Sequence, residues 1–172
     1  MTDIVIRPAV ADDIPAVVAM LADDPLGSAR ESPDDLGPYL TAYERLRSDP
    51  NQFLMVAERG GTVVGTLQLT VVPGLSRRGS TRSIIEGVRV HSSERGRGLG
   101  QQFIEWAIDK SREQGCQLVQ LTSDASRGDA HRFYERLGFT GSHIGFKLRL
   151  TAPAGAAGTG AGEPAGHPEP QR

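Results

Sequence analysis

Cysteine, aromatic side chains and long apolar runs are scarce in this sequence of 172 residues, of which 5% are aromatic. The one cysteine, Cys116, excludes an internal disulfide and suits a reducing compartment. Because Cys116 opens the apolar stretch CQLVQL, we expect a buried thiol on a strand rather than a nucleophile.

Membrane and export signals are also lacking. No apolar run approaches the ~20 residues of a membrane-spanning helix. The N-terminal stretch MTDIVIRPAV lacks the basic and then apolar pattern of a signal peptide. We therefore expect a soluble, cytoplasmic protein that does not enter a membrane.

Neither sign of charge dominates, with 19 basic and 21 acidic residues and a formal net charge of −2. A nucleic-acid-binding protein usually carries a strongly basic face, so we expect no nucleic-acid partner. His91, His143 and His167 show no spacing with acids or cysteines that indicates a metal site, and we predict none. His131 is interpreted as a residue on a helix surface.

The last part of the chain, residues 151–172, consists almost entirely of Ala, Gly, Pro and polar residues. It contains no Leu, Ile, Val or aromatic residue, so it cannot bury enough surface to offset the entropy of ordering. We predict a folded domain over residues 1–150 and a disordered tail over residues 151–172.

The order of apolar patterns in the remaining chain predicts β-α-α-β-β-β-α-β-α-β. A first strand, IVIRP, precedes two helices, and a hairpin turns at Arg59-Gly60-Gly61. Two strand–helix pairs follow, and SHIGFKLRL (residues 142–150) is predicted as a last strand. The fold class is therefore mixed α/β, with a largely antiparallel central sheet and helices on both faces.

The segment ERGRGLG, from Glu94 to Gly100, lies between the apolar strand SIIEGVRV and a predicted helix. Backbone N–H groups at a helix start have no internal partner and attract anions. Glycines let a phosphate approach the backbone, and Arg95 and Arg97 supply charge-assisted donors. The segment predicts a phosphate or pyrophosphate site, and a solvated Gly/Arg loop is the alternative.

Two common phosphate motifs are disfavoured. A P-loop needs Lys-Ser or Lys-Thr after its second glycine, where this chain has Gln101-Gln102. A dinucleotide fingerprint needs glycines at its first, third and sixth positions, which Gly96, Gly98 and Gly100 do not match.

The pattern Arg95-x-x-Gly98-x-Gly100 after a strand resembles the pyrophosphate loop of the GNAT superfamily of acetyl-CoA-dependent N-acetyltransferases. The stretch AHRFYERLGF (Ala130 to Phe139) is similar to the second hallmark of that superfamily. The N-terminal IRPAVADDIPAV and the order of elements extend the resemblance over most of the chain. It implies transfer of acetyl from acetyl-CoA, as a cosubstrate, to a primary amine in a ternary complex, without a metal.

The resemblance also implies where acetyl-CoA binds. The strand before the glycine segment and the strand after its helix would splay apart, with Gly87 marking a bulge. The pantetheine arm would enter that gap and bond to the strand as an added strand does. The implied cofactor residues are Val88, Val90, Arg95, Gly96, Arg97, Gly98, Leu99, Gly100, Gln101, Arg127 and Phe133. Arg127 stands where many relatives carry Asn.

Amide formation needs a base for the amine and an acid for the departing thiolate. The resemblance places Tyr134 near the cofactor sulfur as the acid, and a core tyrosine is the alternative. Glu86 lies in the middle of an apolar strand, where a carboxylate is costly unless it faces a wet cleft or has a partner. The resemblance favours Glu86 as the base, acting directly or through water, and an outward-facing or ion-paired glutamate is the alternative.

The acceptor is left open as a small-molecule or protein amine. One loop carries acids that would attract a cationic amine or simply be solvated: Asp23, Asp24, Glu31, Asp34 and Asp35. A second loop carries Arg77, Arg78 and Arg82, which would bind an acidic group on the acceptor or the adenosine phosphate. The rival class is a catalytically idle acyl-CoA-binding sensor or partner module. Homodimers are frequent among members of the superfamily, so a homodimer is allowed.

Overall fold

The computed structural model describes residues 3–23 and 27–150, so Asp24 and the predicted disordered tail lie outside the described residues. The strands are β1 (Ile4–Pro8), β2 (Gln52–Arg59), β3 (Thr62–Val72), β4 (Arg82–Val90) and β5 (Leu118–Leu121). The helices are α1 (Ile14–Ala22), α2 (Gly37–Ser48), the single turn α3 (Ser76–Gly79), α4 (Leu99–Glu113) and α5 (Gly128–Arg136). Short 3-10 turns span Ala11–Asp13 and Ser92–Glu94.

The five strands form one sheet in the order β1-β2-β3-β4-β5. The first three pairings are antiparallel, and β4 pairs with β5 in parallel. The parallel pair follows from its connection, because the crossover through α4 returns the chain in the same direction. The β2–β3 turn lies where the sequence predicts it, with Gly60 and Gly61 at φ of 59° and 82°. The mixed, largely antiparallel α/β class is confirmed.

The larger core lies between the sheet and α4. Leu99, Phe103 and Ala107 of α4 are at most 2% exposed and pack with Leu67 and Ile85 of the sheet. The hydroxyls of Ser83 and Ser111 also hydrogen-bond across this interface at 2.7 Å. Ser83 and Ile85 of β4 therefore face α4, and the residues between them face the other side.

The opposite face of the sheet is covered in part by α1 and α2. A smaller apolar cluster joins Val17 of α1 with Val56 of β2 and Ala9. Arg7 of β1 donates to both carboxylate oxygens of Asp13, at 2.7 and 3.0 Å, just before α1 begins. The hydrogen bonds from Arg7 hold the pKa of Asp13 below its ordinary value. This pair fixes the first helix to the first strand.

The prediction of a strand over residues 142–150 is wrong, since the structure assigns no strand there. The described chain forms one compact unit up to Gly141, and a second unit begins at Ser142. Ile144, Phe146, Leu148 and Leu150 are 82–93% exposed. Their period of two is a strand pattern, but a strand also needs a neighbour to form its hydrogen-bond ladder. Alternation alone does not supply that neighbour.

The prediction that Cys116 is a buried residue of a strand is also wrong. Cys116 lies in the turn before β5 and is half-buried, while its backbone N–H donates to the Ser111 carbonyl at 2.9 Å and closes the end of α4. Desolvation raises the pKa of its thiol. None of the helices in the described residues is long and apolar enough to cross a membrane.

Candidate functional site

Strand β4 has two differently paired halves. Its first residues, Arg82 to Ile85, pair with β3 on one side and with β5 on the other. The pairing with β5 ends at Ile85, so Glu86 to Val90 are paired with β3 alone. Among the described residues, no strand therefore pairs with this edge of Glu86 to Val90, where the resemblance implies that the two strands part.

A bulge lies at the junction of these halves. Thr66 pairs with Arg89 and Gln68 pairs with Glu86, so Leu67 alone faces the two residues Gly87 and Val88. Gly87 has a φ of 60°, a backbone conformation that glycine adopts without a steric penalty. The predicted bulge at Gly87 is confirmed.

Arginine side chains contact the backbone of the open half. Arg89 Nη1 donates to the Val88 carbonyl at 2.9 Å, and Arg95 Nε donates to the Val90 carbonyl at 3.2 Å. The valine side chains pack on the core below. These two carbonyls are thus available to side-chain donors rather than committed to a second strand.

The glycine segment turns the chain from β4 into α4. Gly96 and Gly98 have φ values of 75° and 86°, and no atom lies within 4 Å of the position that a Cβ would occupy on either. Gly98 precedes Leu99, the first residue of α4. The backbone N–H groups of a 15-residue helix therefore begin at an open surface, which favours an anion.

A cavity of about 490 Å³ lies at this helix start. Eight of the predicted cofactor residues line it: Val90, Arg95, Gly96, Gly98, Leu99, Gly100, Gln101 and Phe133. Val88, Arg97 and Arg127 are not among its lining residues. Arg136 and Leu137 of the last helical turns line it as well, and sequence reasoning missed both. Arg136 adds a positive charge to the cavity lining. It lies three residues after Phe133 and so on the same helix face, which is the sequence signal that could have found it.

Glu94, which lines the same cavity, is a third residue that sequence reasoning missed. Its side chain is 6% exposed and forms ion pairs with Arg59 at 3.2 Å and with Arg97 at 3.9 Å. A buried carboxylate of this kind is stabilised only by such partners. Glu94 thereby fixes the glycine segment to the end of β2 and draws Arg97 toward the protein.

Arg95 is held by a different acid. Its Nη2 atom lies 2.8 Å from Asp23 at the end of α1, and both side chains are more than half exposed. This ion pair places a carboxylate next to the predicted phosphate ligand. Asp23 therefore competes with an incoming anion for the same guanidinium.

Tyr134 lies among aromatic rings, edge-on to Phe133 and Phe139 with centroids 5.2 and 5.9 Å apart. Burial raises the pKa of its phenol, while Arg127 and Arg89 act in the opposite direction. No hydrogen bond to its hydroxyl is formed within the described part of the chain. The phenol is therefore protonated near neutral pH and has a proton to donate.

Glu86 is exposed and lies beside the bulge, on the sheet face opposite α4. No described residue forms an ion pair with it, so the ion-paired alternative finds no support. Tyr134 instead packs on the core cluster of the α4 side. The predicted acid thus packs on the core of the α4 side, and the predicted base is exposed on the other face of the sheet.

The loop acids have structural partners. Glu31 accepts from the Tyr39 hydroxyl at 2.8 Å, and Asp35 accepts from the Gly37 N–H at 3.1 Å at the start of α2. In the second loop, Arg77 and Arg78 adopt left-handed backbone conformations and line another cavity of about 410 Å³. That cavity lies at the amino ends of β4 and β5, away from the glycine segment. No cluster of three or more potential metal ligands occurs among the residues described.

Comparison with known proteins gives a family match over residues 15–139, to the model described as the acetyltransferase (GNAT) family. The aminoalkylphosphonate N-acetyltransferase of Salmonella typhimurium is 37% identical over 102 residues, which are 59% of this chain and 66% of that protein. The glucosamine 6-phosphate N-acetyltransferase of Trypanosoma brucei brucei is 37% identical over 90 residues, 52% of this chain and 59% of that protein. The chain thus spans less than two thirds of the length of these curated relatives.

The fold has a close structural counterpart. The crystal structure of a protein described as a transcriptional regulator from Bacillus halodurans C-125 superposes with a TM-score of 0.82 at 46% identity. The match covers 86% of this chain and all of that one. The arrangement of strands and helices around the open half of β4 is therefore shared with a solved protein.

Proposed function

The chain belongs to the GNAT family of acetyltransferases, and from that premise we propose that it transfers the acetyl group of acetyl-CoA to a primary amine. The observation that carries the proposal is the open half of β4, which leads directly into a glycine segment at a helix start. A free strand edge and an anion site, joined by a few residues, match the two chemically different parts of coenzyme A. The amide-bearing arm needs the edge, and the pyrophosphate needs the helix start.

The residues present fit this cosubstrate. Gly96 and Gly98 leave open space where a side chain would block a phosphate, and Arg95 and Arg136 line the same cavity. The carbonyls of Val88 and Val90 can accept from amide N–H groups once the arginine side chains move away. When bound, acetyl-CoA supplies an activated acetyl thioester at the open half of β4.

Glu86 and Tyr134 divide the proton transfers in our proposal. The amine nitrogen forms a bond to the acetyl carbonyl carbon, and Glu86 accepts a proton from that nitrogen, directly or through one water. The carbon–sulfur bond breaks, and Tyr134 donates its phenolic proton to the departing sulfur. The products are an N-acetyl amine and free coenzyme A. Tyr134 recovers its proton from solvent, and Glu86 releases its own.

The acceptor is proposed to be a small amine. Two relatives are named for acceptors that carry an amine together with a phosphonate or a phosphate. An aminoalkylphosphonate and glucosamine 6-phosphate are therefore the first acceptors to assay, by release of free thiol.

Calorimetric titration with acetyl-CoA tests the proposal, with Gly98→Glu as the disrupting variant. The new carboxylate would stand at the open helix start and repel the pyrophosphate, so we expect binding to weaken by about 10-fold or more. Gly115→Glu is the matched control, because Gly115 has a φ of 70° and equally open surroundings at the other end of α4. It carries the same backbone strain and charge without facing the cavity. Equal binding by both variants, or no binding by the wild-type protein, would overturn the cofactor assignment.

A further inference from the structure

A polar strip crosses the sheet on the face that carries Glu86. We define it by Gln52 of β2, Gln68 and Thr70 of β3, and Arg82 of β4. Residues directly opposite each other in neighbouring antiparallel strands share a face. Gln68 pairs with Glu86 and Thr70 pairs with Gln52, so these side chains lie side by side.

Hydrogen bonds fix the strip internally. Gln52 Oε1 accepts from Gln68 Nε2 at 3.0 Å and from the Thr70 hydroxyl at 2.8 Å. This leaves the Gln52 amide nitrogen without a partner among the described residues. If both amides were turned over, the Gln68 nitrogen would take its place, so one NH₂ group stays available in either orientation.

Arg82 ends the strip on β4. It lies on the same face as Glu86, because Ser83 and Ile85, which alternate with them, face α4. Its Nε atom is buried and makes no hydrogen bond to any residue that the structure describes. A buried guanidinium N–H without a partner is costly, which is typical of a group that awaits a ligand. Arg82 and Glu86 are four positions apart on the strand, a distance of about 13 Å between Cα atoms.

The strip is accessible to a ligand. Gln52, Gln68, Thr70 and Arg82 are all half-buried, whereas the neighbouring row formed by Val56 and Thr66 is at most 1% exposed. The sheet face is therefore apolar and buried beneath α1, and polar and partly exposed beside Glu86. Gln68 and Thr70 lie inside β3, the central strand of the sheet. Polar side chains there weaken a core, so their presence points to a binding role.

We propose that this strip is the acceptor subsite, and that it takes a primary amine whose chain carries an oxyanion, with the amine at Glu86 and the oxyanion at Arg82. The proposal rests on the function proposed above, since it needs the amine to be the acetyl acceptor. Arg82 supplies a planar fork of N–H donors that suits a carboxylate or a phosphonate. The free amide NH₂ of the Gln52–Gln68 pair bonds the chain between the two ends. Because an arginine side chain is long, a short acceptor suffices to bridge Arg82 and Glu86.

The variant Arg82→Met tests the subsite, since methionine keeps part of the apolar stem and removes the charge. The acceptors are 2-aminoethylphosphonate, β-alanine and the neutral propan-1-amine. We expect Arg82→Met to lower kcat/KM about 10- to 100-fold for the two anionic acceptors, through KM, and to leave propan-1-amine unchanged. Arg82→Lys should recover part of the loss. Arg112→Met is the matched control, because it removes an exposed arginine charge on α4, where Arg112 pairs with Asp109 and not with the strip.

The comparison of the two anions decides which oxyanion the strip prefers. An equal loss for charged and neutral acceptors would overturn the proposal, because Arg82 would then be structural. No loss for any acceptor would overturn it as well. A second readout, calorimetric binding of 2-aminoethylphosphonate to the protein saturated with coenzyme A, does not depend on turnover. Binding that Arg82→Met abolishes would support the strip even if no acetyl transfer occurred, and absence of binding by the wild type would refute it.

Discussion

The two halves of β4 differ in both burial and pairing. In the first half, Ser83 and Ile85 are at most 2% exposed, and both strand edges are hydrogen-bonded. In the second half, Glu86 and Gly87 are exposed, and no strand within residues 3–23 and 27–150 pairs with one of the two edges. Only a bulge of one extra residue separates them. The closed half of such a strand keeps it fixed in the sheet. The half beyond the bulge can therefore expose backbone groups and a charged side chain.

This contrast predicts that substitutions around the open half change chemistry while the fold survives. The largest effect is expected for Tyr134→Phe, which keeps the aromatic packing and removes the proton donor. We expect turnover to fall by about 100- to 10,000-fold, with the affinity for acetyl-CoA within a factor of about three. Steady-state kinetics and calorimetric titration measure the two quantities separately.

Tyr43→Phe is the control for this measurement, because the Tyr43 hydroxyl donates to the Ala9 carbonyl at 3.3 Å, where α2 packs on β2. Its loss should affect stability slightly and turnover hardly at all. A Tyr134→Phe variant that kept wild-type turnover from pH 6 to pH 9 would show that another group donates the proton.

The closed half should show the reverse behaviour. Ile85→Ala removes a side chain that is 2% exposed between the sheet and α4, and we expect it to lower the free energy of unfolding by about 2–5 kcal/mol. Val88→Ala, three positions along the same strand, removes a half-buried side chain and should cost clearly less. Urea denaturation of both variants, followed by circular dichroism, gives the comparison. Equal losses would mean that the open half supports the core as strongly as the closed half.

Sequence reasoning predicted the bulge and the turn from β4 into α4 because their strongest signals are local. One short stretch of sequence shows a strand pattern, then Gly96 and Gly98, then a helix pattern. Both glycines have positive φ in the structure. The bulge at Gly87 was visible for the same reason. The order of the strands also follows from local patterns, since short turns join antiparallel neighbours and a helix joins the parallel pair.

What sequence reasoning missed depends on contacts between distant residues. Glu94 is buried because Arg59, at the far end of β2, reaches it, and no pattern around Glu94 shows this. The polar strip joins Gln52 to Gln68 and Thr70 through a register that only the folded sheet defines. The strand predicted over residues 142–150 failed in the opposite way. The alternation of apolar and polar residues is a local signal, but strand pairing needs a second segment. Phe146 and Leu148 lie in a stretch where the described residues form no strand.

The smallest change in affinity is expected for a substitution where the end of α1 meets the proposed cofactor site. Arg95 pairs with Asp23 and, in the proposed complex, would bind the pyrophosphate with the same guanidinium. Exposed ion pairs contribute about 0.2–1 kcal/mol, so Asp23→Asn should raise the affinity for acetyl-CoA by no more than about fivefold. The gain should shrink as salt is added, because screening already weakens the competing carboxylate. Asp109→Asn, which breaks an exposed pair with Arg112 at 2.6 Å on α4, should leave the affinity unchanged. If Asp23→Asn instead weakened binding, the carboxylate would be holding Arg95 in position for the phosphate, and the end of α1 would belong to the binding site of the open half.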